Sequence, residues 1–243
     1  MILANTRQRL SRGDAQLAMR LLSRESGEEL ESLEKRLADG GIDAILDDPR
    51  LPSVLTRSSQ AAHASFPLFT YVMVRHVLRR AGEGDRSLAD YVAAIMLHFG
   101  SRDHAYRIAE SDDQKYSALV DLCADLDDPD VRRSFLVRTH LGNYALWLSG
   151  LFPDHIEQRR WKRGGPDLEY YDEMGRRGFQ LAAEHQLAGE LGLVSLYALA
   201  ADRFARVRVA LNALSDWLFF PNVHTPERLM RQVSDEARWR LAS

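Results

Sequence analysis

Apolar residues recur every three or four positions through most of the chain, which is the period of an amphipathic helix. Capping motifs mark helix starts: Ser26 and Ser111 each stand three residues before a Glu or Gln, and Asp128 and Thr225 each precede a proline. No stretch alternates with a period of two for long enough to indicate a strand. The pattern predicts about ten helices within the candidate spans 13–24, 27–39, 66–81, 87–100, 102–109, 112–125, 129–151, 154–163, 167–188, 190–201, 204–219 and 226–241.

The predicted fold class is all-α, a single-domain multi-helix bundle of mostly antiparallel helices. No repeat at a fixed period argues for a solenoid. Residues 1–40 contain few large apolar side chains, so we expect an N-terminal helical arm that packs on the body or on a second subunit. Residues 41–60 contain Pro49 and Pro52 and are predicted to be an irregular crossing segment, which leaves 61–243 as the main helical body.

The helices near 129–151, 167–188 and 204–219 are expected at the centre of this bundle. In the last of them, apolar side chains repeat at steps of three and four, which suits packing against a partner helix. These side chains are Phe204, Val207, Leu211, Leu214 and Leu218.

The helix predicted over 129–151 carries a polar and aromatic stripe within an otherwise apolar second half. His140, Asn143, Tyr144 and Trp147 fall at i, i+3, i+4 and i+7, so they share one face. Each buried polar group among them must find a hydrogen-bond partner, because an unpaired one costs about 1–3 kcal/mol. The stripe is either one wall of a small-molecule pocket or a satisfied buried network that fixes the helix register.

A second stripe on the next helix is smooth, with Tyr171, Gly175, Gly178, Ala182 and His185 at steps of four, three, four and three. Two glycines inside a helix cost about 2 kcal/mol relative to alanine, so close approach of another backbone or of a flat ligand should compensate. His185 is then either a metal or haem ligand or an ordinary core or capping residue. The opposite face is predicted to be exposed to solvent. Its residues are Glu169, Asp172, Glu173, Arg176, Arg177, Gln180 and Glu184.

A third cluster falls around residues 98–107. His98 shares a helical face with Arg102 if the helix continues that far, and His104 follows closely. These three residues are candidates for anion binding or acid–base chemistry. The alternative is a helix–helix corner held by a salt bridge.

Composition and charge limit the class of partner. The 243 residues have a net charge of −3, whereas a general nucleic-acid binder usually has a strongly basic domain, so the composition argues against nucleic acid as a partner. The basic run 159–163 is the best candidate for contact with phosphate, although its place at a helix end already accounts for it.

The single cysteine, Cys123, excludes an internal disulfide. No signal peptide or membrane span is recognisable, so we expect a cytoplasmic protein with no membrane contact.

Motifs of the common enzyme classes are absent from the sequence. No Glu stands three residues before any histidine, which removes the di-metal carboxylate bundle. The metalloprotease helix, the serine nucleophile elbow and the glycine-rich nucleotide loops are missing as well. We predict no metal and no cofactor, and find no catalytic motif.

Three segments of the C-terminal half resemble a family of uncharacterised bacterial all-helical proteins. The segments are LSGLFP ending at Pro153, LEYYDEMGRRGF after Pro166, and ALNALSDWLFFP near the end. The resemblance implies no assigned activity. It implies framework positions at Gly150, Phe152, Pro153, Tyr171, Gly175 and Phe179.

Two functions follow as hypotheses. The first is a non-catalytic helical interaction or regulatory protein, as a homodimer or with a helical protein partner. The alternative is a helical enzyme or ligand-binding protein with an internal pocket for a small aromatic molecule or a tetrapyrrole. The walls of that pocket would include His140, Asn143, Tyr144, Trp147, Tyr171 and His185.

Overall fold

The computed structural model describes residues 1–26, 29–101, 104–109, 112–116, 118–219, 221 and 225–241, without the side chains of 25–26, 227, 234 and 236–241. Within these residues the regular structure is entirely helical, with fourteen α-helices, three short 3-10 helices and no strand. The all-α prediction is therefore confirmed. No helix in the described part of the chain is long and apolar enough to span a membrane.

The chain forms two compact units, residues 2–101 and residues 102–243, called here the N-terminal and C-terminal units. The helices of the N-terminal unit are α1 (Arg12–Ser26), α2 (Leu30–Gly40), α3 (Asp43–Leu46), α4 (Leu51–Arg57), α5 (Phe66–Arg80) and α6 (Arg86–Phe99). Those of the C-terminal unit are α7 (Leu119–Ala124), α8 (Val131–Leu151), α9 (Pro153–Arg163), α10 (Leu168–Ala183), α11 (Gln186–Glu190), α12 (Val194–Asp202), α13 (Phe204–Leu218) and α14 (Pro226–Leu241). That the whole chain is a single domain stays a prediction.

The segment 41–60 is more regular than predicted. It contains α3, α4 and the start of a 3-10 helix over Ser59–His63. Apolar residues such as Ile45 and Leu51 are fully buried there, and burial of this kind stabilises short helices that propensity alone would not. Leu22 and Leu33 of the predicted arm are likewise buried, and α1 and α2 pack with α3 and α4 inside the N-terminal unit.

Two predicted helices are much shorter in the structure. The described part of 102–109 has only a 3-10 helix at His104–Tyr106, and within 112–125 the helix begins at Leu119. For residues 112–116 the reason is a side chain from α8. Arg133 forms ion pairs with Asp112, Asp125 and Asp128, and the carboxylate of Asp125 also accepts a hydrogen bond from Tyr116 Oη at 2.6 Å. These interactions hold the non-helical chain against α8.

Helices α8, α10 and α13 form the centre of the C-terminal unit, and two glycines allow the first pair to touch through their backbones. A Cβ atom placed on Gly178 would lie 2.6 Å from the backbone nitrogen of Gly142. A Cβ atom on Gly175 would lie 2.1 Å from Cζ of Phe204. The smooth stripe predicted on this helix therefore packs against backbone and an aromatic ring, which is the first of the two compensations expected from the sequence.

We predict that Gly178→Ala destabilises the protein by about 1–3 kcal/mol, because the new methyl group must push two helix backbones apart. Urea denaturation followed by circular dichroism measures the change. The matched control is Gly189→Ala in α11, where no atom lies within 4 Å of an added Cβ. The control should gain up to about 1 kcal/mol from helix propensity, and an equal loss in both variants would contradict the close approach.

Asp48 of the N-terminal unit is paired with two arginines. Burial alone would raise the pKa of Asp48, but hydrogen bonds from Arg50 and Arg36 outweigh that effect and lower the pKa to about 2. A carboxylate whose pKa is depressed in the folded state stabilises the fold above its ordinary pKa of 3.8, and this stabilisation is lost as the pH falls toward 2.

We therefore expect Asp48→Asn to be less stable than wild type at pH 7 and to lose less stability than wild type between pH 4 and pH 2. Thermal melts across this pH range test the expectation. Asp39→Asn, at an exposed position of α2, is the control and should follow the wild-type pH dependence. A wild-type pH profile for Asp48→Asn would show that this carboxylate does not contribute.

Candidate functional site

Helix α14 packs on the C-terminal unit through its charged residues. Arg228 and Arg231 are only 2% and 8% exposed, and Asp235 is 9% exposed. Nη2 of Arg231 donates to Asp216 at the end of α13 at 2.8 Å, and Nη2 of Arg228 donates to the same carboxylate oxygen. Both arginines also lie within 4 Å of Asp154 in α9. Ion pairs therefore hold this helix to α9 and α13.

Three apolar residues of α14 are instead exposed to solvent. Met230 is 74% exposed, Val233 is 67% exposed and Leu229 is about half exposed. A surface helix of a globular protein normally turns its apolar stripe to the core and its charges to water. The described side chains of α14 have the opposite arrangement, so the apolar side chains of Leu229, Met230 and Val233 are left in water.

A cleft of about 560 Å³ lies beside this helix, between the end of α9, the start of α10 and the inner side of α14. Trp161, which is 73% exposed, and Met230 supply its largest apolar side chains. The charged residues in its lining are Glu157, Arg160, Asp167, Glu169, Arg208, Arg231 and Asp235. Carboxylates outnumber guanidinium groups among them, so the cleft carries no excess of positive charge.

The most deeply buried of the charged residues in this lining is Arg208, whose side chain is 1% exposed. Its Nε donates to Asp172 of α10 at 2.7 Å, and its Nη1 donates to Asn212 at 2.9 Å and lies 3.5 Å from Asp235. Asn212 in turn donates through Nδ2 to the carbonyl oxygens of residues 149 and 150 at the end of α8. One guanidinium group thus links α10, α13 and α14, and through Asn212 it also links α8.

The predicted stripe on α8 does form a contiguous group. His140, Asn143 and Tyr144 are buried and Trp147 is partly exposed. Nε2 of His140 donates to the carbonyl oxygen of Ala105 at 3.0 Å, which ties the 3-10 helix to α8. The rings of His140 and Tyr144 have centroids 5.9 Å apart, and those of Tyr144 and Trp147 are 6.2 Å apart. Burial raises the pKa of Tyr144 to about 12, so this phenol stays protonated at neutral pH.

Tyr171 and His185 do not share one helical face, as the second predicted stripe required. Tyr171 is buried on α10, where burial raises its pKa, but α10 ends at Ala183. His185 caps the next helix instead: its Nδ1 accepts a hydrogen bond from the backbone nitrogen of Leu187 at 3.2 Å. The predicted single helix over 167–188 is wrong at this point, because the imidazole satisfies a helix end. Burial and the charge of Arg138 lower the pKa of His185. Ligand binding by the stripe stays a prediction.

Two residues of the candidate anion cluster, His98 and His104, lie within the described part of the chain. Helix α6 ends at Phe99, with Gly100 as its cap, so the helical face with His98 stops there. The ring of His98 lies 5.6 Å from that of Phe99. His104 belongs to the 3-10 helix of the C-terminal unit, and Arg102 lies outside the described residues.

The buried charge network was not predicted from the sequence. Asp172 was expected on a solvated face, yet it is 6% exposed and pairs with Arg208. A weak pattern does point to it: Arg208, Asn212 and Ser215 fall at i, i+4 and i+7, directly beside the apolar seam of α13. A polar stripe next to a buried seam is itself a candidate for burial.

Among the described residues, no group of three or more His, Cys, Asp or Glu side chains is arranged to hold a metal ion. The chain matches no protein-family model, no curated protein and no solved structure. The function must therefore be argued from the geometry of this chain alone.

We predict that Arg208→Met destabilises the protein by about 3–5 kcal/mol, because it leaves the carboxylate of Asp172 buried without its partner. Combining it with Asp172→Leu should recover part of that loss, since the pair is then replaced by apolar groups. Asp202→Asn, which removes an exposed ion pair with Arg203, is the control and should change stability by less than 1 kcal/mol. Equilibrium unfolding in urea measures all three, and a loss for Arg208→Met no larger than the control's would contradict the linking role.

Proposed function

We propose that this chain is a non-catalytic helical interaction protein that forms a homodimer through the outward face of α14. The supporting observation is the exposure of Leu229, Met230 and Val233, with Trp161 exposed beside the adjoining cleft. Exposed apolar residues scattered singly are normal, whereas a contiguous apolar patch marks an interaction site. A regulatory role would follow from such reversible contacts.

The ion pairs of α14 support this proposal because they hold the helix with its apolar face outward. Arg228, Arg231 and Asp235 are all turned inward and paired. Rotating the helix to bury its apolar face would bring these charges into water and break their pairs with Asp154, Asp216 and Arg208 of other helices. The face is therefore a stable part of the surface that a partner can bind.

A second copy of the chain is the occupant that the sequence of α14 favours. The exposed residues Leu229 and Val233 lie four positions apart, which is one of the steps of a helix–helix seam. Across a two-fold axis the same surface meets itself, and an apolar stripe is complementary to its own copy.

Two other surfaces that the sequence offered for a partner are buried inside the chain. Leu211 and Leu214 of the α13 seam are 1% and 0% exposed, and α13 packs against α8. Leu22 and Leu33 of the N-terminal arm are also fully buried. This leaves α14 as the better candidate surface.

An enzyme or pocket protein is the weaker proposal. The aromatic stripe on α8 contacts itself and the carbonyl of Ala105, and these contacts account for its burial without a ligand. We propose a cytoplasmic location, as the composition suggests.

The experiment is sedimentation equilibrium on wild type and on the double variant Met230→Glu, Val233→Glu. A single-helix contact buries less than the roughly 800 Å² per partner of a standard interface, so we expect a dissociation constant in the micromolar range. Two carboxylates in the stripe should weaken dimerisation at least 30-fold, because each copy would then bury unpaired charge.

Val120→Glu is the matched control, since Val120 is as exposed as Val233 but lies on α7. It should dimerise as wild type does, and circular dichroism should show the same helix content in all three proteins. A wild-type protein that stays monomeric at several hundred micromolar would overturn the homodimer. A double variant that dimerises normally would exclude the α14 face as the contact.

A further inference from the structure

The N-terminal unit contains a smaller concave pocket with a different charge balance. Its volume is about 240 Å³, and it lies between the C-terminal half of α5 and the chain that connects α3 to α4. Leu46, Pro49 and Pro52 provide its apolar surface. The remaining lining residues are Asp47, Asp48, Arg75, His76, Arg79 and Arg80.

Each of the two carboxylates in this pocket already has two arginine partners. Asp47 accepts from Arg75 at 2.9 Å and from Arg86 at 2.8 Å. Asp48 pairs with Arg36 at 3.0 Å and with Arg50 at 2.7 Å, and those arginines hold its pKa near 2. Neither carboxylate is therefore left to neutralise the other arginines of the pocket.

Arg79 and Arg80 supply the unbalanced positive charge. Both are exposed, and Arg79 donates through Nη1 to the backbone carbonyl of Asp47 rather than to a carboxylate. Arg80 makes no hydrogen bond or ion pair with any described residue. Asp43 also lies near this network, 3.7 Å from Arg86, but its closer partner is an arginine outside the pocket.

His76 lies inside the pocket and is affected by the positive charges of Arg79 and Arg80. It is half-buried on α5, one turn before the two exposed arginines. Burial lowers its pKa, and the charges of Arg80 and Arg79 lower it further. The aspartates across the pocket do not cancel this effect, because four other guanidinium groups surround them.

The position at a helix C-terminus explains only part of this arrangement. A cation there interacts favourably with the helix dipole, which accounts for arginines in the last turn of α5. It does not account for a concave site whose base contains the buried guanidinium of Arg75 and whose rim has two arginines without carboxylate partners. Guanidinium groups match the planar oxygen pairs of phosphate and bind them through two hydrogen bonds.

We propose that this pocket binds a phosphate-class oxyanion, either free phosphate or the phosphate group of a small monoester. The volume is below the 300–1,000 Å³ typical of sites for larger ligands, so the ligand is small. Arg79 and Arg80 contact its oxygens, and the two prolines lie against whatever short organic group it carries. This site is independent of the dimer proposed above.

The test follows the imidazole NMR signal of His76, assigned with the variant His76→Gln, during titration at constant ionic strength. One arm uses inorganic phosphate, a second uses ribose 5-phosphate and a third uses sodium chloride. We expect a saturable shift with millimolar affinity or better in at least one phosphate arm and none with chloride. Bound phosphate should raise the pKa of His76, because a nearby anion favours the imidazolium form.

Tenfold tighter binding of ribose 5-phosphate would identify a monoester as the ligand, and equal or tighter binding of inorganic phosphate would identify the free ion.

The double variant Arg79→Gln, Arg80→Gln should bind at least tenfold more weakly. Arg57→Gln removes the same kind of charge from an exposed position of α4 outside the pocket lining and should bind within twofold of wild type. The proposal is overturned if neither phosphate compound shifts the His76 signal more than chloride does. It is also overturned if Arg57→Gln weakens binding as much as the double variant, since the effect would then be general electrostatics.

Discussion

Helices α8 and α10 touch through their backbones, and the arrangement of the C-terminal unit depends on that contact. Gly142 and Gly178 meet at the crossing, and any side chain on Gly178 would separate the two helices. The same small-residue face receives the ring of Phe204 against Gly175, which places α13 in the groove beside both helices. Because α13 lies there, Arg208 comes within 2.7 Å of Asp172 and Asn212 reaches the last carbonyls of α8. The close crossing therefore positions the buried charge network as well as the apolar core.

Much of this fold could be predicted from the spacing of apolar residues and from the capping residues and prolines at helix ends. The long helices α5, α6, α8, α9, α13 and α14 begin and end within about two residues of the sequence predictions, because their apolar steps and capping groups all favour the same boundaries. The glycine face was also predictable, since two helical glycines need a compensating contact. The failures were local. Residues 112–116 have helical spacing, but Arg133 from a distant part of the sequence holds them in a non-helical path.

The site was less predictable, and the reason is physical. The spacing of apolar and charged residues shows that a helix has two different faces. It does not show which face is buried when other helices offer apolar contacts to one face and opposite charges to the other. For Asp172 the sequence indicated a solvated charged face, whereas the carboxylate is buried because it meets the guanidinium group of Arg208 from another helix. Arg231 of α14 is buried in the same way, against Asp154 of α9 and Asp216 of α13. Such partners are far apart in the sequence. Asp172 and Arg208 are separated by 36 residues, and Arg231 and Asp154 by 77. No local sequence pattern therefore indicates which carboxylate pairs with which arginine.

The inversion of α14 also connects the stability of the unit with its capacity to bind. Breaking a buried ion pair by removing one partner is strongly destabilising, whereas forming it gains little over an apolar contact of the same shape. If stability were the only requirement, the helix would therefore be expected to pack against the unit through its apolar face. Here three buried charges hold it in the other orientation, and the apolar stripe of Leu229, Met230 and Val233 remains available. Burial of that stripe by a second copy would add the hydrophobic stabilisation that the monomer forgoes, of the order of 25 cal/mol per Å². The ion pairs then determine the orientation of the helix, and the proposed association would supply the burial that the isolated chain lacks.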